Sequence, residues 1–141
     1  MPRTTIILAD DNCSVLAHVS HMLERDKNYQ VVAEISEPAK IVRECLQLRP
    51  NIIVLDISMG ELSGIDVARQ LRDSGSTAKI VFLTVHEDTD YMNAAIGAGG
   101  SAYVVKSRLS LDLFSAINAA LADKIFVSAS LLNEPSAGGR R

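Results

Sequence analysis

Asp10-Asp11, Asp56, Thr84 and Lys106 each close a short apolar run: Thr5-Ile6-Ile7-Leu8-Ala9, Ile52-Ile53-Val54-Leu55, Lys79-Ile80-Val81-Phe82-Leu83 and Ala102-Tyr103-Val104-Val105. Carboxylates crowded together repel one another and raise each other's pKa unless a cation intervenes. Oxygen-only donors favour a hard cation, and too few of them for a cage favours Mg²⁺ with some of its waters kept. Such an ion, with Lys106 as a second positive point, makes a clamp for a phosphoryl group. A carboxylate at its centre can attack phosphorus and form an aspartyl-phosphate. Thr84 supplies a hydroxyl for a phosphoryl oxygen. Taken singly, each signal is ordinary. Asp10-Asp11 also reads as a helix N-cap with a first-turn acid, Thr84 as the end of a strand and Lys106 as a solvated strand end. Asp56 is the exception, because an acid directly after a buried strand needs a partner.

Bringing these residues together requires particular elements. The four runs read as strands, and Tyr29 to Ile35 as another, second in chain order. Ile52-Ile53-Val54-Leu55 has no polar alternation, as expected of a strand buried on both faces. Between the strands lie helix-period stripes. The first carries Val15, Leu16, Val19, Met22 and Leu23; the second starts near Pro38 and carries Ile41, Val42, Cys45 and Leu46. A loop with Gly60, Ser63 and Gly64 leads to Ile65, Val67, Ala68 and Leu71. A helix from about Asp88 to Ala98 is closed by Gly99-Gly100. A last one, with Ser110 as its expected cap, carries Leu113, Phe114, Ile117, Ala120 and Leu121.

Five β-α units in succession predict an α/β fold: a five-stranded parallel sheet, doubly wound, with helices on both faces. In a flavodoxin-like order 2-1-3-4-5, strands one, three, four and five are neighbours, and their carboxyl ends meet at the crevice where strand order reverses. Past Asp123 the pattern weakens. Ile125-Phe126-Val127 reads as a short extension, and the stretch from Glu134 to Arg141 as tail or linker.

Composition narrows the class. The chain has 141 residues, 48% hydrophobic and 22% charged, the proportions of one globular domain. A net charge of -3 and 4% aromatics, with no Trp, argue against direct binding of nucleic acid or an anionic membrane. No apolar run approaches a membrane span. Cys13 and Cys45 fit neither a metal spacing nor a disulfide framework, and acids beside Cys13 disfavour its thiolate. His18 and His21 read as a solvated helix face. A cytoplasmic, single-domain protein is the expectation.

The ordered motifs Leu8-Ala9-Asp10-Asp11, Val54-Leu55-Asp56-Ile57-Ser58-Met59, Leu83-Thr84-Val85 and Tyr103-Val104-Val105-Lys106 resemble the receiver domain of two-component response regulators. The resemblance spans residues 4–123 and leaves 124–141 as a C-terminal extension or truncated linker. It implies that Asp56 is the phosphoacceptor, that Asp11 binds Mg²⁺ directly, that Asp10 acts through a metal-bound water, and that the Ser58 backbone carbonyl completes the protein's ligands. It further implies that Lys106 pairs with phosphoryl oxygens, that Thr84 and Tyr103 form a switch pair, and that Ser58 and His86 tune hydrolysis. The implied partners are a sensor histidine kinase or a phosphotransfer protein, with a possible homodimer on phosphorylation. The implied chemistry is a phosphoacceptor switch with self-phosphotransfer and autodephosphorylation rather than an enzyme.

The segment Ala94-Ala95-Ile96-Gly97-Ala98-Gly99-Gly100-Ser101-Ala102-Tyr103 and the later Phe126-Val127-Ser128 are similar to the subgroup whose longer members carry a LuxR-type helix-turn-helix output domain. Transcriptional control through an output absent from this chain is therefore expected. The alternatives are a stand-alone receiver acting by protein binding and a receiver-fold module that is never phosphorylated. Three residues depart from the family pattern: Gly60 for the usual Pro, Val85 for a smaller residue and Ala102 for Gly. A small-substrate phosphohydrolase is disfavoured by Ser58, where an acid would be wanted as proton donor. A dinucleotide enzyme is disfavoured because Asp10-Asp11-Asn12-Cys13 replaces a Gly-rich turn.

Overall fold

The computed structural model describes residues 3–59 and 62–128; Gly60 and the tail from residue 129 lie outside the described residues. In chain order the elements are β1 (Thr4–Ala9), α1 (Cys13–Glu24), β2 (Tyr29–Ile35), α2 (Ile41–Leu48), β3 (Ile52–Asp56), α3 (Gly64–Asp73), β4 (Lys79–Thr84), α4 (Thr89–Gly97), β5 (Gly100–Val105), α5 (Leu109–Leu121) and β6 (Phe126–Val127). Pro38–Lys40 and Lys106–Arg108 form single 3-10 turns. Ser58–Met59 and Leu62–Ser63 pair antiparallel just after β3.

The main sheet is parallel throughout, in the order 2-1-3-4-5-6. The expected doubly wound five-strand arrangement is present, extended by β6 on the outer edge of β5. Both faces of the sheet are covered. Ile7, Ile53, Leu55, Phe82 and Tyr103 pack with residues of α2, α3 and α4. Ile6, Leu8, Val54, Leu83 and Val104 pack with residues of α1 and α5. Full burial of each such side chain is worth about 1.5–3 kcal/mol, which explains why the inner strands are apolar through their middles and keep polar residues for their ends, such as Thr4, Thr5 and Lys79.

Local signals set the element boundaries. Asn12 caps α1, its side chain accepting from the backbone N–H groups of Ser14 and Val15. Ser63 caps α3 and Asp88 caps α4 in the same way. The expected cap at Ser110 is not used. Helix α5 starts two residues earlier than that cap would place it, at Leu109, and its N-cap position is Arg108 with no side-chain cap bond. The two glycines after α4 have separate tasks. Gly99 takes the left-handed conformation (φ 109°), and Gly100 opens β5, where a Cβ would meet the Phe82 ring at 2.6 Å.

Register then brings the strand ends together, each stepped by one residue from β3 to β5. Ala9 is opposite Leu55, Asp56 opposite Leu83 and Thr84 opposite Val105. Asp10, Asp56, Thr84 and Lys106 therefore emerge in one row at the carboxyl edge of the sheet, across the point where strand order reverses.

Candidate functional site

Asp10 and Asp56 are both buried, at 3% and 4% exposure, whereas Asp11 faces solvent. Carboxylate oxygens of the three lie within 4.8 Å of one another. The Lys106 ammonium sits 2.9 Å from Oδ2 of Asp10 and 3.6 Å from Oδ2 of Asp56. The first contact is an ion pair, and among the described residues the buried Oδ2 of Asp10 has no hydrogen-bond partner. The other Asp10 oxygen, Oδ1, accepts from the Asn12 N–H at 2.9 Å. Asp56 Oδ1 accepts from the Ser58 N–H at 3.3 Å.

These surroundings fix the acidity of Asp56. Burial, then the nearby negative charge of Asp10, push its pKa from 3.8 up to about 6, although the Lys106 charge and the Ser58 N–H oppose the shift. Two buried acids facing one lysine remain undercompensated. An orphaned carboxylate oxygen, a solvent-facing third acid and an oxygen-only donor set together fit a hard divalent cation.

The loop after β3 is forced into place by a glycine. An added Cβ on Gly64 would lie 2.0 Å from the Asp56 carbonyl oxygen, and the Gly64 N–H donates to the Ile57 carbonyl at 2.7 Å. Close approach of two backbones behind the acid thus requires the residue without a side chain.

Beyond the acids, Thr84 and Tyr103 are both completely buried. They meet at one residue. Thr84 Oγ1 accepts from the His86 N–H at 3.0 Å, and the Tyr103 hydroxyl donates to the His86 carbonyl at 3.1 Å. Tyr103 is thus turned inward, and burial holds its phenol at a pKa of about 12. The His86 ring has two further contacts. Its Nε2 is 2.8 Å from Ser58 Oγ, and it stacks on Tyr91 of α4 with centroids 4.0 Å apart. Val85, between Thr84 and His86, is exposed.

All the sequence-predicted residues therefore meet at one edge of the sheet: Asp10, Asp11, Asp56 and Lys106 at the acidic centre, Ser58 and His86 over it, Thr84 and Tyr103 beside them. Sequence reasoning missed the part played by Tyr91, which carries no signal beyond lying five positions after His86. It also missed the steric demand at Gly64, which looked like an ordinary loop glycine.

A doubly wound parallel sheet with an acid cluster and a lysine at its carboxyl edge defines a receiver-type domain. Residues 6–118 match the family described as response regulator receiver domain, and the chain belongs to that family. It is 34% identical over 130 residues to the nitrate/nitrite response regulator protein NarP of Escherichia coli, covering 89% of this chain and 60% of that protein. It is 30% identical to a nitrate/nitrite response regulator protein homolog of Haemophilus influenzae, covering 93% of this chain and 63% of that one. The chain thus spans about three fifths of these relatives' length. Among solved structures, a two-component response regulator of the LuxR family from Aurantimonas superposes with a TM-score of 0.92 at 29% identity, over 99% of this chain and 100% of that one.

Proposed function

We propose that Asp56 accepts a phosphoryl group from the phosphohistidine of a sensor histidine kinase or phosphotransfer protein, and that the aspartyl-phosphate switches the surface of α4, β5 and α5. An Asp56 carboxylate oxygen forms the new O–P bond as the P–N bond to the donor imidazole breaks. The bonding pair leaves with the imidazole, which then takes up a proton. Asp11, Asp56 and the Ser58 backbone carbonyl are the residues to hold Mg²⁺, with Asp10 acting through a metal-bound water. Bound there, the ion supplies charge neutralisation for the carboxylates and the phosphoryl oxygens. Lys106 orients the phosphoryl group as the second positive point. Later hydrolysis of the acyl phosphate, tuned by Ser58 and His86, returns Asp56 to its starting state, so the domain is a switch and not an enzyme acting on other substrates.

The observation that carries this reading is the convergence of Asp10, Asp56 and Lys106 at the carboxyl edge of the sheet, with the ammonium 2.9 and 3.6 Å from the two acids. The relay is supported by His86. If Thr84 turns its hydroxyl to the phosphoryl group, its bond to the His86 N–H is given up, while Tyr103 holds the carbonyl of the same residue. Helix α4, which stacks Tyr91 on that histidine, buries only Ala95 among its residues and is thus a lightly anchored element for a two-state switch.

Control of transcription is the output we assign, because two relatives are named as transcriptional regulatory proteins. A LuxR-type output domain and a phosphorylation-dependent homodimer through the switched face complete the proposal. Incubation with acetyl phosphate, read by intact mass, tests it. One added phosphoryl group that requires Mg²⁺ and is lost in Asp56→Asn is the expected result. No addition, together with a silent beryllofluoride titration, would reduce the domain to a receiver-fold binding module.

A further inference from the structure

The hydrogen-bonding edge of β5 is already taken. Strand β6 pairs with it in parallel, Phe126 opposite Ala102 and Val127 opposite Tyr103. Alternation along β6 sends its two side chains to opposite faces. Phe126 packs with the core residues shared with α1 and α5, and Val127 with those shared with α3 and α4. The two-residue strand is thus seated between α4 and α5, on the edge through which β5 would otherwise add a neighbouring strand.

Ser128 fastens it. The Ser128 N–H donates to the Tyr103 carbonyl at 3.0 Å, and Ser128 Oγ accepts from the Val105 N–H at 3.0 Å. The same hydroxyl donates to Oδ2 of Asp112 at 2.8 Å. Asp112, on the first turns of α5, is buried and also receives Arg108 Nε at 2.9 Å. Ser128 is itself fully buried. So short a strand cannot hold itself, because a two-residue pairing has little area to set against its ordering entropy; the buried Ser128–Asp112–Arg108 network supplies the remainder.

We infer that β6 with Ser128 is an intramolecular strap that reads the state of Asp56 and passes it to the segment following Ser128 in sequence; this rests on the phosphoacceptor reading above. Both ends of the fastening are attached to groups at the site. Tyr103, whose carbonyl takes the Ser128 N–H, bonds through its hydroxyl to His86. Arg108 lies in the same 3-10 turn as Lys106. Lys106 rests on Asp10 and Asp56 while Asp56 is bare, and a phosphoryl group on Asp56 draws the ammonium outward to its oxygens. That movement carries the Lys106–Arg108 turn with it and takes Arg108 off Asp112. The strap is therefore docked in the unphosphorylated protein and loosened on phosphorylation, which frees the β5 edge and the chain beyond Ser128 together.

Amide exchange at Val105 and Ser128 in the full chain, with Mg²⁺ and with or without beryllofluoride, tests this. Binding of beryllofluoride is followed in the same samples through the amides near Asp56. Exchange at both positions is expected to rise about tenfold on binding, the scale of a typical coupling between two sites. Reciprocity then requires Ser128→Ala and Asp112→Asn to tighten beryllofluoride binding by the same factor. Binding with unchanged or slower exchange at Val105 and Ser128 would overturn the strap and leave the phosphoacceptor site standing. Absence of binding would remove the phosphoacceptor reading and the strap with it. The wild-type exchange decides the matter even if a variant fails to fold.

Discussion

Lys106 Nζ lies closer to Oδ2 of Asp10, at 2.9 Å, than to Oδ2 of Asp56, at 3.6 Å. The lysine is thus held mainly by the neighbour of the acceptor. It damps the negative charge of the site while leaving Asp56 the less tightly paired of the two buried acids.

Lys106→Met should separate these two effects. Without the ammonium, repulsion between cations is removed, and Mg²⁺ affinity should rise by a factor of about three to ten. Phosphorylation by acetyl phosphate should fall at least about tenfold, because a transition-state charge partner is lost. Equilibrium Mg²⁺ titration and initial rates of mass gain on the same preparations measure both. A parallel fall in the two would contradict the assignment.

Asp56 also sets a pH dependence. Its folded-state pKa, raised from 3.8 to about 6 by burial and by Asp10, means that the folded protein binds this proton more tightly than the unfolded chain. The resulting stability is fully present below about pH 4 and is lost as pH rises through 6. In EDTA at pH 7.5, Asp56→Asn should therefore be more stable than the wild type by on the order of 2 kcal/mol. The gap should narrow at pH 5 and close below pH 4. Thermal melts across this range, repeated with Mg²⁺, provide the check; with the ion, the wild type should gain more than the variant.

Gly64→Ala should damage the site from behind. A Cβ 2.0 Å from the Asp56 carbonyl oxygen forces the two backbones apart, and the loss should be about 3 kcal/mol. At moderate temperature, where the variant remains folded, phosphorylation should also drop, because the acceptor is displaced. Urea titration and acetyl phosphate labelling together measure this. Gly97→Ala, at a position where an added Cβ meets nothing within 4 Å, should leave both unchanged or slightly improved.

The Ser58–His86 contact at 2.8 Å should act as a unit. Ser58→Ala and His86→Ala each change the rate of aspartyl-phosphate loss, and the double variant should match the larger single effect instead of their sum. Decay of the phosphorylated species by intact mass gives the cycle. Strict additivity would mean that the two side chains act separately.

Much of this was legible before any coordinates. Unbroken apolar runs marked β1, β3, β4 and β5 because strands buried on both faces admit no polar residue, and that same rule exposed Asp10, Asp56, Thr84 and Lys106 at the first positions where polarity is tolerated. What escaped had no such contrast. Phe126-Val127 reads as a short extension but is too brief for a periodicity to give its pairing, and Ser128 is one serine among small and apolar residues; its partners Asp112 and Val105 are 16 and 23 residues away. The cap at Ser110 was misread because Leu109 prolongs the turn from Lys106 directly into α5, so no side-chain cap is needed where the chain is already turning. The resemblance pointed to His86 as tuning hydrolysis but not to its place joining Thr84, Tyr103 and Tyr91, because three of its four contacts reach side chains distant in sequence or use its own backbone.

The central claim is that Asp56, and no other residue, takes the phosphoryl group. Treatment with acetyl phosphate and Mg²⁺ followed by borohydride reduces an aspartyl-phosphate to homoserine, and peptide sequencing by mass spectrometry then locates it. Homoserine at position 56 alone, dependent on Mg²⁺, is the predicted result. Homoserine at Asp10 or Asp11, or none at 56 in a sample whose intact mass shows one phosphoryl group, would contradict the account.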